Sequence, residues 1–323
     1  MNILITSAGR RVSLVRAFQV ELKGHFPSSK VFTADVNPEW SSACRISDRF
    51  FTLPIIENEN YIHSLLKICL TNEIKVVIPT LDTELLVLSS AKDVFLLNGI
   101  YIIISDFDFV SKCRDKRKTN KLFGNLKIDV PCSIDKNNPT FPLFIKPYDG
   151  SLTKDTYLIN KKEELTDSLL NNPKYMFMEY ISPANFYEYT IDAYFDKNSI
   201  LKCLVPRRRI EIRGGEISKG KTERKDFYYI LKDRLSFIKG AKGCLTIQFF
   251  VSKATNIIIG IEINPRFGGG YPLSYASGAN YPEYIIQEYM LNKTILFNDN
   301  WVENRVMLRY DSEVFLDKDD FTD

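Results

Sequence analysis

The residues with the clearest chemical potential lie late in the chain, where Gln248 precedes the run Ile261-Glu262-Ile263-Asn264-Pro265-Arg266. The run reads as a strand, so Glu262 and Asn264, two apart, share one face. With Gln248 on a neighbouring strand, three oxygen-bearing side chains would converge. That set suits Mg²⁺, which takes carboxylate and carbonyl oxygens and completes its shell with water and nucleotide phosphates. Arg266, just past the strand, could reach an anion held by such a metal. A polar edge strand turning at Pro265 is the other reading, and the pattern alone leaves both open.

Three further stretches carry charge where structure alone does not require it. In Phe141-Pro142-Leu143-Phe144-Ile145-Lys146-Pro147 a lysine closes an apolar strand, which is costly unless its charge finds a partner. A phosphate oxygen would serve, and Gly150-Ser151 beyond it can offer backbone N–H groups. Arg114-Asp115-Lys116-Arg117-Lys118 reads by itself first as a solvated helix face, with an anion site as the alternative. Met176-Phe177-Met178-Glu179-Tyr180-Ile181, followed by Glu188, can stack an adenine, meet its amino edge and hold ribose hydroxyls.

These residues need elements to position them. Apolar runs at Asn2–Thr6, Val31–Ala34, Lys75–Ile78 and Tyr101–Ile104 alternate with helical spacing over Arg11–Lys23, Tyr61–Leu70 and Thr83–Leu97. That alternation predicts a parallel, doubly wound sheet up to about residue 104, with ligands at the carboxyl ends of its strands. Those ends are Ser7-Ala8-Gly9-Arg10, Asp35-Val36-Asn37 and Thr80-Leu81-Asp82-Thr83-Glu84. Arg10 and Arg11 there favour an anion, Asp82 and Glu84 an amine. From residue 105 to 323 the texture becomes α+β. Helices are predicted over Lys112–Phe123, Lys162–Leu170 and Pro282–Met290. Strands are predicted at Leu143–Lys146, Thr156–Ile159, Met176–Glu179, Tyr187–Phe195, Ile200–Val205, Leu245–Val251 and Ile257–Ile263. The segment from Arg207-Arg208-Arg209 through Lys219-Gly220-Lys221 reads either as a holder of an acidic substrate or acyl phosphate, or as an exposed loop.

The composition narrows the classes. Lys and Arg total 43 against 40 Asp and Glu, a balance that argues against a dedicated nucleic-acid binder. No apolar run approaches the ~20 residues that span a bilayer. Six scattered cysteines and two histidines give no zinc spacing, and the cysteines read as reduced. Without a basic lead segment or cleavage site at the amino end, a cytoplasmic location is expected.

Taken in order, these motifs resemble the ATP-grasp superfamily, in particular its carbamoyl phosphate synthase large-subunit-like group, which is also similar to biotin carboxylase and the D-alanine–D-alanine ligases. The resemblance runs from Met1 to about Met290 and is most specific in Ile261 to Gly270, continuing through Ser277-Gly278-Ala279-Asn280-Tyr281-Pro282-Glu283. It implies a Rossmann-like pre-ATP-grasp domain, then a two-lobed α+β ATP-grasp domain that holds ATP between antiparallel sheets. By position, it implies Lys116 and Lys146 as phosphate lysines, Glu179, Tyr180 and Ile181 as the adenine hinge, and Glu188 as the ribose contact. It further implies Gln248, Glu262 and Asn264 as ligands of magnesium, with manganese an allowed substitute. Arg266 would stabilise charge at the reacting phosphate, and Arg209 matches a similarly placed arginine in relatives. The implied reaction is carboxylate–amine ligation through an acyl phosphate, with small-molecule substrates; many relatives are dimers.

The sequence departs from that pattern twice. Asp155 stands near a glycine of the loop that closes over the triphosphate, and Asn185-Phe186-Tyr187 precede Glu188 without the glycine that relatives carry. The first departure supports a rival, a non-catalytic ATP-binding relative with a regulatory or partner-binding role. Bicarbonate or ammonia as the second nucleophile is a further alternative, although one grasp unit lacks the duplication of full carbamoyl phosphate synthases. A nicotinamide dehydrogenase needs G-x-G-x-x-G after the first strand, and Thr6-Ser7-Ala8-Gly9-Arg10-Arg11 offers one glycine.

Overall fold

Four apolar runs and one half-exposed strand at the amino end pair in parallel, because the helices between them cover both faces of the resulting sheet. The computed structural model describes residues 1–150 and 155–317. Its first part comprises β1 (Asn2–Thr6), α1 (Val12–His25), β2 (Val31–Asp35), α2 (Ser42–Arg45), β3 (Arg49–Thr52), α3 (Tyr61–Thr71), β4 (Ile74–Pro79), α4 (Leu85–Leu97) and β5 (Tyr101–Ile102). The strand order is β3-β2-β1-β4-β5, all parallel. One face packs Leu4, Val77 and Phe95, while the other feeds Ile3, Ile5 and Phe18 into a core shared with the rest of the chain. Strand β3 was not legible in the sequence: Arg49-Phe50-Phe51-Thr52 is short, and none of its residues is fully buried.

The helix expected over Lys112–Phe123 is two helices, α5 (Phe107–Arg114) and α6 (Lys116–Asn125). Asp115 breaks the run because it takes extended backbone angles and its carboxylate accepts from Arg117 N, capping α6. A three-stranded antiparallel sheet follows, from β6 (Leu143–Pro147), β7 (Tyr157–Ile159), α7 (Asp167–Asn171) and β8 (Tyr175–Glu179), in the order β7-β6-β8. The helix expected from Lys162 shrinks to a single 3₁₀ turn and the short α7, because Thr166 caps a new start through Leu169 N. Ser151 to Lys154 of the expected phosphate loop, and the acidic end beyond Asp317, lie outside the described residues.

The remaining strands form a six-stranded sheet. They are β9 (Phe186–Phe195), β10 (Leu201–Arg213), β11 (Glu216–Thr222), β12 (Gly243–Ser252), β13 (Ile258–Asn264) and β14 (Val306–Leu308), with α8 (Asp226–Arg234), α9 (Tyr271–Ala276) and α10 (Tyr281–Ile285) interspersed. The order is β13-β12-β9-β10-β11-β14. The basic segment read as a loop or an anion holder is thus mostly ladder. β10 runs eight residues past Val205 and turns at Gly214-Gly215, both at positive φ, into β11. Past α10 the expected helix continues as one π-turn, Ile286–Met290.

Several contacts tie the first sheet's helices and loops to the second unit. His25 Nε2 lies 2.8 Å from both Glu283 oxygens, and Tyr275 Oη donates to Glu21 Oε1 at 2.6 Å. Phe18 packs edge-on against Phe267, their centroids 5.9 Å apart.

Candidate active site

β12 and β13 carry the first group of polar residues. Their antiparallel register sets Gln248 opposite Glu262 and Thr246 opposite Asn264. Opposed residues share a face, so Gln248, Glu262 and Asn264 stand together. Asn264 Nδ2 donates to Glu262 Oε1 at 2.9 Å, which orients both side chains and leaves Asn264 Oδ1 as an acceptor. One carboxylate with two carboxamide oxygens fits Mg²⁺ when phosphates supply further ligands. Among the described residues no three His, Cys, Asp or Glu side chains gather into a metal cage.

β9 and β10 extend this face. Thr190 lies opposite both Gln248 and Arg207, which brings Glu188, Arg207 and Arg209 onto the same side. Arg209 Nη1 is 3.3 Å from Glu188 Oε1. Burial raises the Glu188 pKa, Arg209 opposes that rise and Glu262 adds to it. The three successive arginines have separate fates. Arg207 is buried, with Nε and Nη2 donating to the two Asp192 oxygens at 2.8 and 2.9 Å, so it holds the sheet and the following helix rather than a ligand. Ser274 Oγ completes that arrangement, donating to Asp192 at 2.6 Å. Arg208 turns to the opposite face and lies 3.8 Å from the centre of the Tyr187 ring.

Lys146 and Lys116 supply the cationic side. Burial pushes the Lys146 pKa down to about 8, helped by the neighbouring Lys116 and opposed by Glu262. Burial also lowers Lys116, and Glu262 opposes it. Glu262, on β13, thus favours the charged form of both ammonium groups. Lys116 Nζ also donates to Gly150 O at 2.5 Å, tethering the loop that follows Lys146. Two ammonium groups held close and poorly hydrated would be relieved by a polyphosphate.

The hinge candidates lie at the end of β8 and just beyond. Glu179 Oε1 accepts from Cys132 N and Glu179 N donates to Cys132 O, both at 2.9 Å, which pins the end of β8. Asp155 adopts φ +55°, the left-handed region that favours glycine and that Asp tolerates better than most residues. The missing glycine before Glu188 also has a plain account: β9 is a continuous ladder from Phe186, opposite Ser252, so no turn is needed there.

Arg266 leaves β13 towards the first domain. Its Nη2 pairs with Asp82, Nη1 donates to Phe267 O at 3.1 Å, and Nε is buried without a partner. Arg11 donates to the same Phe267 oxygen at 3.1 Å and to Thr80 O at 3.0 Å. Burial pushes the Arg11 pKa down to about 10, and Arg266 adds to the effect. The expectation that Glu84 meets an amine is corrected. Glu84 is buried, and its carboxylate accepts from Thr80 N, Leu81 N, Ser7 Oγ and Tyr61 Oη at 2.7 to 3.0 Å. It shapes the loop that presents Asp82. Sequence reasoning missed Glu216 and Arg309, which pair at 2.6 Å while Arg309 also donates to Gly269 O. Nothing in their neighbours in the chain marks either residue.

Comparison with known proteins bears on the fold that carries these residues. Residues 3–103 match the family model "PylC-like, N-terminal domain", and residues 171–307 match "ATP-grasp in the biosynthetic pathway with Ter operon". The biotin carboxylase domain dimer of Hydrogenobacter thermophilus 2-oxoglutarate carboxylase, solved with MgADP, ADP and bicarbonate, superposes with a TM-score of 0.70 at 12% identity, over 94% of this chain and 73% of that one. Staphylococcus aureus N5-carboxyaminoimidazole synthetase with ADP gives 0.67 at 16% identity, over 95% and 79%. L-amino acid ligase from Bacillus licheniformis gives 0.64 at 16% identity, over 90% and 74%. No curated protein matches the sequence. The chain has the fold of these ATP-grasp enzymes, with a parallel-sheet amino-terminal domain followed by an antiparallel-sheet unit.

Proposed function

We propose that the chain is an ATP- and magnesium-dependent ligase that activates a carboxylate as an acyl phosphate and joins it to an amine, forming a carbon–nitrogen bond and releasing ADP and phosphate. The observation that carries the reading is the shared face of Gln248, Glu262 and Asn264, with Asn264 Nδ2 holding the Glu262 carboxylate at 2.9 Å. The similar structures whose names state ligase or carboxylase chemistry, several with ADP bound, support it.

In this reading Gln248, Glu262 and Asn264 hold magnesium, which neutralises phosphate charge when bound. Lys116 and Lys146 take phosphate oxygens, the backbone of Glu179, Tyr180 and Ile181 receives adenine, and Glu188 receives ribose hydroxyls from its place beside Arg209. Arg266 stabilises the oxygen on which charge develops, a task that rests on fixed donors more than on covalent help. Asp82, its partner at rest, holds that guanidinium in place. The reading divides the chain at residues 104 and 105, supported by the change from parallel to antiparallel sheet. It also carries a cytoplasmic location, supported by six cysteines that form no disulfide. A dimer is supported by the assembly named in the biotin carboxylase structure. No helix among the described residues is long and apolar enough to cross a membrane.

ADP and phosphate release with MgATP, measured across paired acids and amines with Glu262→Ala as control, tests the function. Turnover that needs one acid and one amine and vanishes in the variant supports it. ATP binding without turnover across the whole panel favours the non-catalytic binder.

A further inference from the structure

Away from the grasp, a second cavity of about 170 Å³ lies where β5 and α4 of the first domain meet the second unit. Its floor is aliphatic, from Ile100, Ile102 and Ile104, with Leu96 at the rim and 49% exposed. Tyr101 and Tyr289 add two rings set edge to face, their centroids 5.4 Å apart. The charged lining is cationic: Lys92, Lys197 and Lys242 reach the cavity, and no carboxylate does among the described lining residues.

Those three charges are thinly compensated. Lys92 and Lys242 share one oxygen, Oδ1 of Asp106, at 2.9 and 2.7 Å. Lys197 donates to the Glu288 carbonyl at 2.7 Å and lies 4.6 and 5.3 Å from the Tyr289 and Tyr101 ring centres. The Glu288 carboxylate is taken by Tyr194 Oη and Lys197 N.

The site is also preformed. Ser105 Oγ accepts from Lys242 N at 3.0 Å, and Asp106 N donates to Gly240 O at 2.8 Å, pinning the lysine-bearing loop. At Gly243, φ +70°, a side chain would meet Ile103 at 2.7 Å. Tyr289 projects from the π-turn Ile286–Met290, and such turns cluster at functional sites. Lys197 lies nine residues beyond Glu188 across β9, and Lys242 six residues before Gln248, so roughly 20–30 Å separate this cavity from the candidate active site.

We propose that this seam cavity binds a small organic monoanion with an apolar body, an aromatic or branched-chain carboxylate. The head group would bridge the lysines, and the body would sit on the isoleucines and tyrosine rings. Inorganic phosphate would leave the aliphatic floor unused, and a nucleotide exceeds a cavity below the ~300 Å³ usual for larger ligands. An occupant would touch the first domain and also the ends of β9 and β12, the strands that carry Glu188 and Gln248.

Calorimetric titration of the full chain with benzoate, MgADP saturating, tests the proposal, with inorganic phosphate titrated in parallel. Benzoate is expected to bind at one site with a Kd of about 0.1–1 mM. The double substitution Lys92→Gln with Lys242→Gln should weaken it about tenfold or more. Leu96→Trp, at a half-exposed position, should block it with the charges left in place, and it decides alone if the double variant fails to fold. No saturable benzoate binding to the native chain, or unchanged affinity in the variants, overturns the site. Phosphate binding as tightly as benzoate, indifferent to Leu96→Trp, overturns the ligand class.

Discussion

The two sides of the candidate site are built differently. The candidate oxygen ligands stand on β12 and β13, inside a six-stranded ladder whose inner face packs Ile191, Ile247, Phe249 and Ile263 into the main core. Lys146 stands on β6, in a sheet of three short strands with its own small core of Leu143, Ile145, Ile159, Leu169 and Phe177, while Lys116 begins α6, whose Phe123 lies in the main core. Fewer buried contacts mean a lower free energy of local opening. β12 and β13 are therefore the firmer side, and the small sheet that carries Lys146 is the side that opens at lower cost.

The largest effect should come from the firmer side. Glu262→Ala removes the only carboxylate of the donor set, and ligand-dependent ADP release should fall at least ~10³-fold with the melting temperature little changed. Turnover near the native level would remove the metal role from β13. On the lysine side, Lys146→Met should lower nucleotide affinity on the order of 10²-fold while making the free protein more stable. The gain, about 1–3 kcal/mol in denaturant titration, follows from deleting a poorly hydrated cation. Loss of stability together with loss of affinity would mean that the lysine serves packing.

Gly270→Ala probes how tightly the firmer side is packed. A side chain there would collide with the Arg207 guanidinium and Ile217, so a loss of about 1–3 kcal/mol is expected on thermal unfolding. The smallest effect concerns pH. Lys146, with a pKa of about 8 in the free protein, is neutral in a growing fraction as pH rises through that value, whereas nucleotide phosphates need the cation. Affinity should fall as pH rises from 7 to 9, by about tenfold at most. Nucleotide binding near the upper end should take up as much as one proton, read from calorimetry in buffers of different ionisation enthalpy. In the unfolded chain this lysine titrates near its ordinary 10.5. The unfolded state then binds more protons between the two values, so the free protein gains stability as pH rises from 8 towards 10.5.

Much of this was legible in the residues themselves. Period-two spacing placed Glu262 and Asn264 on one face, and the apolar run before Lys146 announced a cation that needs a partner. The parallel sheet was readable because buried strands are nearly uniform in hydrophobicity. What escaped was set by distant partners. The separate fates of Arg207, Arg208 and Arg209 depend on Asp192, Tyr187 and Glu188, all on another strand. Glu84 reads as a free carboxylate until four donors converge on it from three parts of the chain. β10 looked like a short strand and a loop because its outer half carries charges, which a ladder at the sheet's solvent side tolerates.

The contacts that join the two units have a consequence for anyone exchanging parts among relatives. Asp82 meets Arg266, Arg11 reaches Phe267, and His25 and Glu21 meet Glu283 and Tyr275. The first hundred residues are thus not a cartridge that can be unplugged and replaced by a homologous one. A chimera carrying another amino-terminal domain inherits a guanidinium at the end of β13 whose counter-charge has been left behind. Grafting this specificity elsewhere means moving the loop after β4 together with the turn after β13, as one matched set.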